Sequence, residues 1–223
     1  MKLRIHYDKL EDLELLAKAL ARTDAWHEAI ASERAWVERE YRIELETFRR
    51  QLADDLARYR SGGFRSRGQA EWWMKRHIRQ AYLHAFIEGK IAAGGYRRMA
   101  LRPDEEKWLL KQRRDEYKYL RKFLDDVDAG KGRMPYARRI RMYGDALNSV
   151  YWAGFASGNR DPRRTITWVA HPAAEHCETC MELDGRTWTA PAFQRWVQET
   201  GILPGQNTKC LTNCKCHLED RFA

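Results

Sequence analysis

The sequence predicts a mainly α-helical protein: an elongated body of long helices followed by a small, β-containing, cysteine-rich module. Three observations lead there. Apolar residues recur at helical spacing through nearly everything before residue 160. At Asn159-Arg-Asp-Pro162 the texture changes to a β-branched, aromatic stretch. All five cysteines of the 223-residue chain fall within its last 47 residues. The chain therefore divides into a helical body, residues 1–160, and a C-terminal module, residues 161–223.

The helices can be placed in order. Asp8 to Arg22 carries Leu10, Leu13, Leu15, Leu16 and Leu20 on one broad face. Thr23 or Asp24 caps a second, long helix, whose stripe runs Ile30, Val37, Tyr41, Leu45, Phe48, Leu52, Leu56, Tyr59. After a first step of seven, its steps of four and three approach a coiled-coil seam, and Ser61-Gly62-Gly63 ends it. A third helix spans Gln69 to Ala93 through Trp72, Trp73, His77, Ile78, Tyr82, Ala85 and Phe86, and Gly94-Gly95 stops it. His77, on that stripe, is expected to be a packed, hydrogen-bonded side chain rather than a ligand. A fourth begins at Pro103-Asp104-Glu105-Glu106, with proline in the first turn and acids at the positive end of the helix dipole, and runs through Trp108, Tyr119 and Phe123 to Asp128. A fifth starts near Pro135 and carries Ile140, Tyr143, Leu147, Val150, Tyr151 and Phe155 to Gly158.

Charge is unevenly distributed along this body. The net charge is +9 overall, but residues 65–141 hold 21 Lys/Arg against 10 Asp/Glu, and the segments on either side are each close to neutral. Such a field attracts phosphate backbones or an acidic protein surface, and it also suits a solvated arginine-rich helix face. Arg76, Arg79, Arg97, Arg98, Arg113, Arg114, Arg138 and Arg139 are the candidate contacts for nucleic acid or an acidic partner. No helix-turn-helix, zinc-finger or RNA-recognition signature accompanies them, which argues against sequence-specific readout. No run of eighteen apolar residues is present, so no membrane span is expected.

In the module, Thr165-Ile-Thr-Trp-Val169 reads as a strand, Asp184-Gly185 as a hairpin turn and Arg186-Thr-Trp188 as the return strand. Pro191 to Thr200 reads as a short helix, and Trp168 and Trp188 as core. The cysteines read Cys177-Glu-Thr-Cys180 and Cys210-Leu-Thr-Asn-Cys214-Lys-Cys216. Two close clusters of thiols suit tetrahedral zinc, which takes two ligands from each of two tight turns. An odd number of cysteines argues against a closed disulfide framework. Met1-Lys-Leu-Arg-Ile-His6 leads into charged helix rather than an apolar leader, which favours reduced thiols. Disulfide pairing and unliganded thiols remain as alternatives. Four of the five cysteines would ligate, with Cys177, Cys180, Cys214 and Cys216 as first choice and Cys210 as substitute. His171, His176 and His217 flank the site. Glu175, Glu178 and Glu182 are near in sequence, but no H-E-x-x-H arrangement exists, so the metal is expected to be structural and no catalytic residue is assigned.

The stretch from Tyr136 to Leu218 resembles the bacteriophage minor head protein family, also called the head-morphogenesis or Mu F-like family. The parts that carry the resemblance are Tyr143-Gly-Asp-Ala-Leu-Asn-Ser-Val-Tyr-Trp-Ala-Gly154, Thr167-Trp168, the C-x2-C at Cys177, Leu183-Asp-Gly185 and Asn213-Cys214-Lys-Cys216-His-Leu218. Leu211-Thr212 stands where the family usually places a histidine, with Cys210 nearby to take its part. The resemblance implies a non-enzymatic minor structural protein of a tailed-phage virion. It would be present in several copies, made in the host cytoplasm and incorporated at the capsid interior or portal vertex. Its partners would be the portal, the major capsid protein and packaged DNA, and its zinc structural. Two other classes fit the residues: a non-specific nucleic-acid-binding protein with a zinc ribbon, and a metal-dependent hydrolase.

Overall fold

The computed structural model describes residues 25–94, 100–130, 135–159, 161–210 and 214–222. The predicted helix from Asp8 to Arg22, the candidate contacts Arg97 and Arg98, and Asn213 lie outside these residues. Four long helices come first: α1 (Ala25–Arg60), α2 (Arg67–Gly94), α3 (Pro103–Asp128) and α4 (Tyr136–Gly158). The module follows as β1 (Arg164–Val169), α5 (Glu178–Leu183), β2 (Thr187–Thr189), α6 (Ala190–Thr200) and β3 (His217–Phe222). At 36 residues, α1 is about 54 Å long, so the body is elongated, as the sequence predicts.

The seam read along α1 is its buried face: Val37, Tyr41, Phe48, Leu52 and Leu56 are in the core, with Leu45 and Tyr59 packed against it. The stop at Ser61-Gly62-Gly63 is a turn in which Gly62 adopts φ +75°, a conformation that costs residues with a Cβ. Along α2 the inward face is Ala70, Met74, Ile78, Tyr82, Ala85 and Phe86. Trp72, placed on the stripe by the sequence reading, is instead 55% exposed. It lies two residues from Ala70, about 200° around the helix, and so points away from the core. Tyr119 on α3 is likewise exposed, while Phe123 is buried.

The helices pack in a consistent order. Tyr41 stacks on Tyr151 and Arg49 bonds Asp145 at 2.7 Å, so α1 runs antiparallel to α4. His84 meets Glu44 and His77 meets Asp55, so α1 is also antiparallel to α2. On the other side, Tyr117 donates to the Lys75 carbonyl, Tyr82 donates to Glu116, and Lys90 pairs with Glu105, which sets α3 antiparallel to α2. The central pair, α2 and α4, comes together through glycines. A Cβ on Gly154 would sit 2.0 Å from the Phe86 carbonyl oxygen, and one on Gly89 would sit 2.0 Å from that of Tyr151. The backbones therefore touch directly.

The module is a three-stranded antiparallel sheet in the order β2-β1-β3. Along β1, Arg164, Ile166 and Trp168 face inward and alternate with half-exposed residues, the pattern of a sheet with one covered face. The sequence reading placed a tight hairpin at Asp184-Gly185. The partner strand β2 is where expected, but the connection from β1 runs through residues 170–186 and includes α5, so Asp184-Gly185 closes that helix instead of joining two strands. The third strand, β3, is absent from the sequence reading because His217-Leu-Glu-Asp-Arg-Phe222 is charged, and its pairing with β1 supplies the order. Arg164 anchors the sheet to the body, bonding Asp220 and the Ala93 carbonyl, each at 2.6 Å. Gln194 of α6 donates to the carbonyls of Ala156 and Asn159 at the end of α4. One hydrophobic cluster thus runs from Val37 through to Leu218.

Candidate metal centre

The first pair of thiols is set by the end of β1. The Ala170 N–H donates to the Asp184 side chain at 2.8 Å, and the Gly185 N–H to the Trp168 carbonyl at 2.9 Å. These bonds clamp α5 against the strand, and Gly185 completes the clamp at φ +74°. Cys177 is the N-cap residue of α5 and Cys180 lies in its first turn, so both sulfurs project from the same end of the helix. The second group arrives on the segment after α6. Lys209 pairs with Glu178 across the site, and Thr208, buried, contacts the Cys210 sulfur at 3.5 Å. Cys214 and Cys216 lead into β3, whose pairing with β1 fixes their position.

The five sulfurs converge. Cys177 Sγ lies 3.5 Å from Cys180 Sγ and 3.3 Å from Cys210 Sγ. Cys180 Sγ lies 3.5 Å from Cys210 Sγ and 3.6 Å from Cys214 Sγ. Two triads, Cys177/Cys180/Cys210 and Cys180/Cys214/Cys216, each have all their sulfurs within 4.8 Å of one another. These separations are far longer than the roughly 2.05 Å of a disulfide. They approach the edge of about 3.8 Å that a tetrahedron with 2.3 Å metal–sulfur bonds requires. The cluster could hold a metal ion. Cys210, the substitute in the spacing argument, packs as closely as any of the others, and Cys180 alone belongs to both triads.

The charge balance points the same way. Burial pushes the Cys180 thiol well above its ordinary value. The Cys216 contact and burial do the same to Cys214. Burial also raises Cys177, but hydrogen bonds from the Cys180 backbone and from the Cys210 and Cys180 thiols bring it down to about 7. Buried thiols that resist ionisation, as Cys180 and Cys214 do, are what a bound cation would relieve.

The flanking histidines have distinct places. The His176 Nε2 lies 2.7 Å from the His171 carbonyl oxygen and its Nδ1 lies 3.7 Å from Cys216 Sγ. With Nε2–H donating, Nδ1 keeps its lone pair turned toward the sulfurs. His171 accepts the Ala173 N–H, and His217 pairs with Glu219. Glu175, Glu178 and Glu182 are exposed. Trp168 is fully buried, as the core reading expects, whereas Trp188 on the edge strand is partly buried and packs with Phe193 and Trp196.

Among the described residues, the basic candidates have different settings. Arg139 bonds Asp126 and covers the Phe123 ring at 4.5 Å, which occupies it within the body. Arg76 lies over Trp72 and Trp73, at 5.8 and 5.3 Å. Lys75 lies over Tyr117, near which Arg79 and Arg113 also sit. Arg114 and Arg138 are exposed elsewhere on α3 and α4. Sequence reasoning missed the part played by Lys75 and Tyr117, because only the pairing of α2 with α3 brings them together.

No family model, curated protein or solved structure matches the chain. Among the described residues, no helix is long and apolar enough to cross a membrane.

Proposed function

We propose that the chain is a non-enzymatic structural protein of a phage head, in which a zinc-stapled C-terminal module gives a long helical body a rigid docking end. The observation that carries the structural-metal reading is the convergence of the Cys177, Cys180, Cys210 and Cys214 sulfurs through contacts of 3.3–3.6 Å, with Cys216 within 4.8 Å of Cys180 and Cys214. Thiolate donors select zinc among the common divalent ions, and an all-sulfur tetrahedron leaves no open position for a substrate. The three nearby glutamates point to solvent, which supports a structural role over a hydrolytic one. The virion assignment rests on the resemblance over residues 136–218. The matching helix is α4, whose glycines and aromatics form the centre of the body, and the Leu183-Asp-Gly185 segment is the clamp on α5. Elemental analysis of reduced, purified protein should return one zinc per chain. Particles assembled without the protein should be incomplete or non-infectious, and complete, infectious particles would overturn the virion reading.

A second reading is favoured by one specific arrangement. Trp72 is half exposed beneath Arg76, and Lys75, Arg79 and Arg113 surround Tyr117 along the same helix pair. Exposed aromatic faces interleaved with cations suit single-stranded nucleic acid, whose bases stack while its phosphates are neutralised. Binding of an oligonucleotide that quenches tryptophan fluorescence, weakens steeply with salt and is lost in Trp72→Ala/Arg76→Ala would establish it. A salt-independent response, or none, would remove it.

A further inference from the structure

Glu88 is the most anomalous side chain in the helical body. It is 2% exposed, and among the described residues neither of its carboxylate oxygens has a hydrogen-bond partner. The Tyr41 hydroxyl is also without one. Both residues line a groove of about 220 Å³ between α1, α2 and α4. The groove has a polar side, made by Glu44, His84 and Glu88, and apolar walls that include Leu45 and Phe48. Among the described residues no lysine or arginine lines it, although the chain carries a net charge of +9.

We propose that this groove binds an organic cation, a guanidinium or primary ammonium group, held by Glu88 and Glu44. A buried carboxyl without a hydrogen-bond partner is destabilising, a penalty that a charged donor would offset. Burial first, then the charges of Glu44 and Glu40, push the Glu88 carboxyl up to about 9, so it holds a proton that it would give up to an incoming cation. On α1, Arg49 is held by Glu46 and Asp145. A bare metal ion suits the groove poorly. It needs its ligand atoms a few ångströms apart, and the groups of three that meet a 4.8 Å limit among the described residues are the two cysteine triads. A guanidinium spreads its five donors over a plane and can bridge carboxylates set farther apart, with its apolar stem on the groove walls. At the rim, His84 Nδ1 lies 3.0 Å from Glu44 Oε2, which holds Glu44 facing the groove. The inference is independent of the metal centre and of the virion reading.

The chemistry could come from an arginine or lysine side chain of a partner or from a free polyamine. Calorimetric titration of the full chain with N-acetyl-L-argininamide and, separately, with spermidine distinguishes these sources. Saturable binding is expected for at least one probe. Argininamide alone would point to a protein side chain, and tighter binding of spermidine would point to a polyamine. Glu88→Gln, a neutral isostere, should weaken binding by about 10- to 100-fold, the equivalent of losing one charged hydrogen bond. Glu199→Gln, exposed on α6, should leave it unchanged. In the wild-type chain, the ¹³C resonance of the Glu88 carboxyl should move to the carboxylate position as the probe saturates. No binding at tens of millimolar, equal binding by Glu88→Gln, or an unmoved Glu88 resonance would each overturn the proposal.

Discussion

Lys90 Nζ and Glu105 Oε2 lie 2.8 Å apart, and both side chains are only 2% exposed. The pair joins the end of α2 to the start of α3, and both partners make further hydrogen bonds. Lys90 also donates to the Ala100 carbonyl at 2.7 Å. Glu105 accepts from the Arg102 backbone and side chain and from Ser157 at the end of α4. A buried ion pair adds little net stability over an apolar pair of the same shape, because both charges lose their water. Its effect is to fix geometry. Three helices meet at this point, and Lys90 is three residues from the Ala93 carbonyl that Arg164 uses to hold the sheet.

Replacing one partner should therefore be far worse than replacing both. Glu105→Gln removes the countercharge and should cost about 3–5 kcal/mol in urea denaturation. Lys90→Met/Glu105→Leu should recover most of that loss. Burial raises the Glu105 carboxyl, but the bonds from Lys90, Ser157 and Arg102 outweigh it and hold it below the ordinary 4.5. The stability it contributes is present above pH 4.5 and is lost as the pH falls through the lower, folded-state value. Glu105→Gln should flatten the acid side of the stability profile.

The α2–α4 crossing leads to a different expectation. Gly154→Ala puts a methyl group 2.0 Å from the Phe86 carbonyl oxygen, and because that atom belongs to helix backbone it cannot swing aside. The two helices must separate, at a cost at or above the ~3 kcal/mol end of ordinary overpacking. Gly62→Ala, in open space but at φ +75°, should cost nearer 1 kcal/mol. Chemical denaturation of both variants tests the difference. Equal losses would mean that the crossing is not close.

Much of this architecture was legible in the chain. The seam from Val37 to Leu56, the glycine stops and Pro103 at a helix start are local signals, and α1 to α4 follow them. What was not legible depends on partners distant in sequence. Trp72 reads as apolar until Ala70 and Met74 define the inward face. β3 reads as charged loop until Leu218 pairs with Trp168. The metal centre shows the same division. The spacing brings Cys177 and Cys180 to one helix end, but the position of Cys210 depends on how the segment after α6 returns. Glu88 could not have been singled out at all, since a glutamate in a helix signals burial only when its neighbours are known.

Glu88 should also govern the alkaline side of the stability profile. Its carboxyl is raised from 4.5 to about 9 in the folded chain, so the folded state holds a proton that the unfolded state releases. This contribution is fully present below pH 4.5 and is lost as the pH rises toward 9. Glu88→Gln keeps the shape without the ionisation. It should change stability little at pH 5 and raise it clearly at pH 8, where the folded wild-type chain must keep a proton that the unfolded chain has released. Thermal melts at the two values would show it, and an equal shift at both would mean that Glu88 does not titrate in this range.

The metal centre gives the largest expected effect. Metal binding to a thiolate cluster of this kind contributes on the order of 10 kcal/mol of folding free energy. Cys180 belongs to both sulfur triads, so Cys180→Ser should abolish stoichiometric metal binding, as a strong chelator should for the wild type. Cys210→Ser and Cys216→Ser then separate the two halves of the cluster. If Cys177, Cys180, Cys210 and Cys214 form the tetrahedron, Cys210→Ser should lose the ion while Cys216→Ser retains it, and the reverse result would select the set with Cys216. In each metal-free variant, limited proteolysis should cut first between residues 170 and 216. The four long helices, joined by the glycine crossing and by Lys90–Glu105, should stay protected. Wild-type protection of that segment in chelator would mean that the sulfurs pack without an ion.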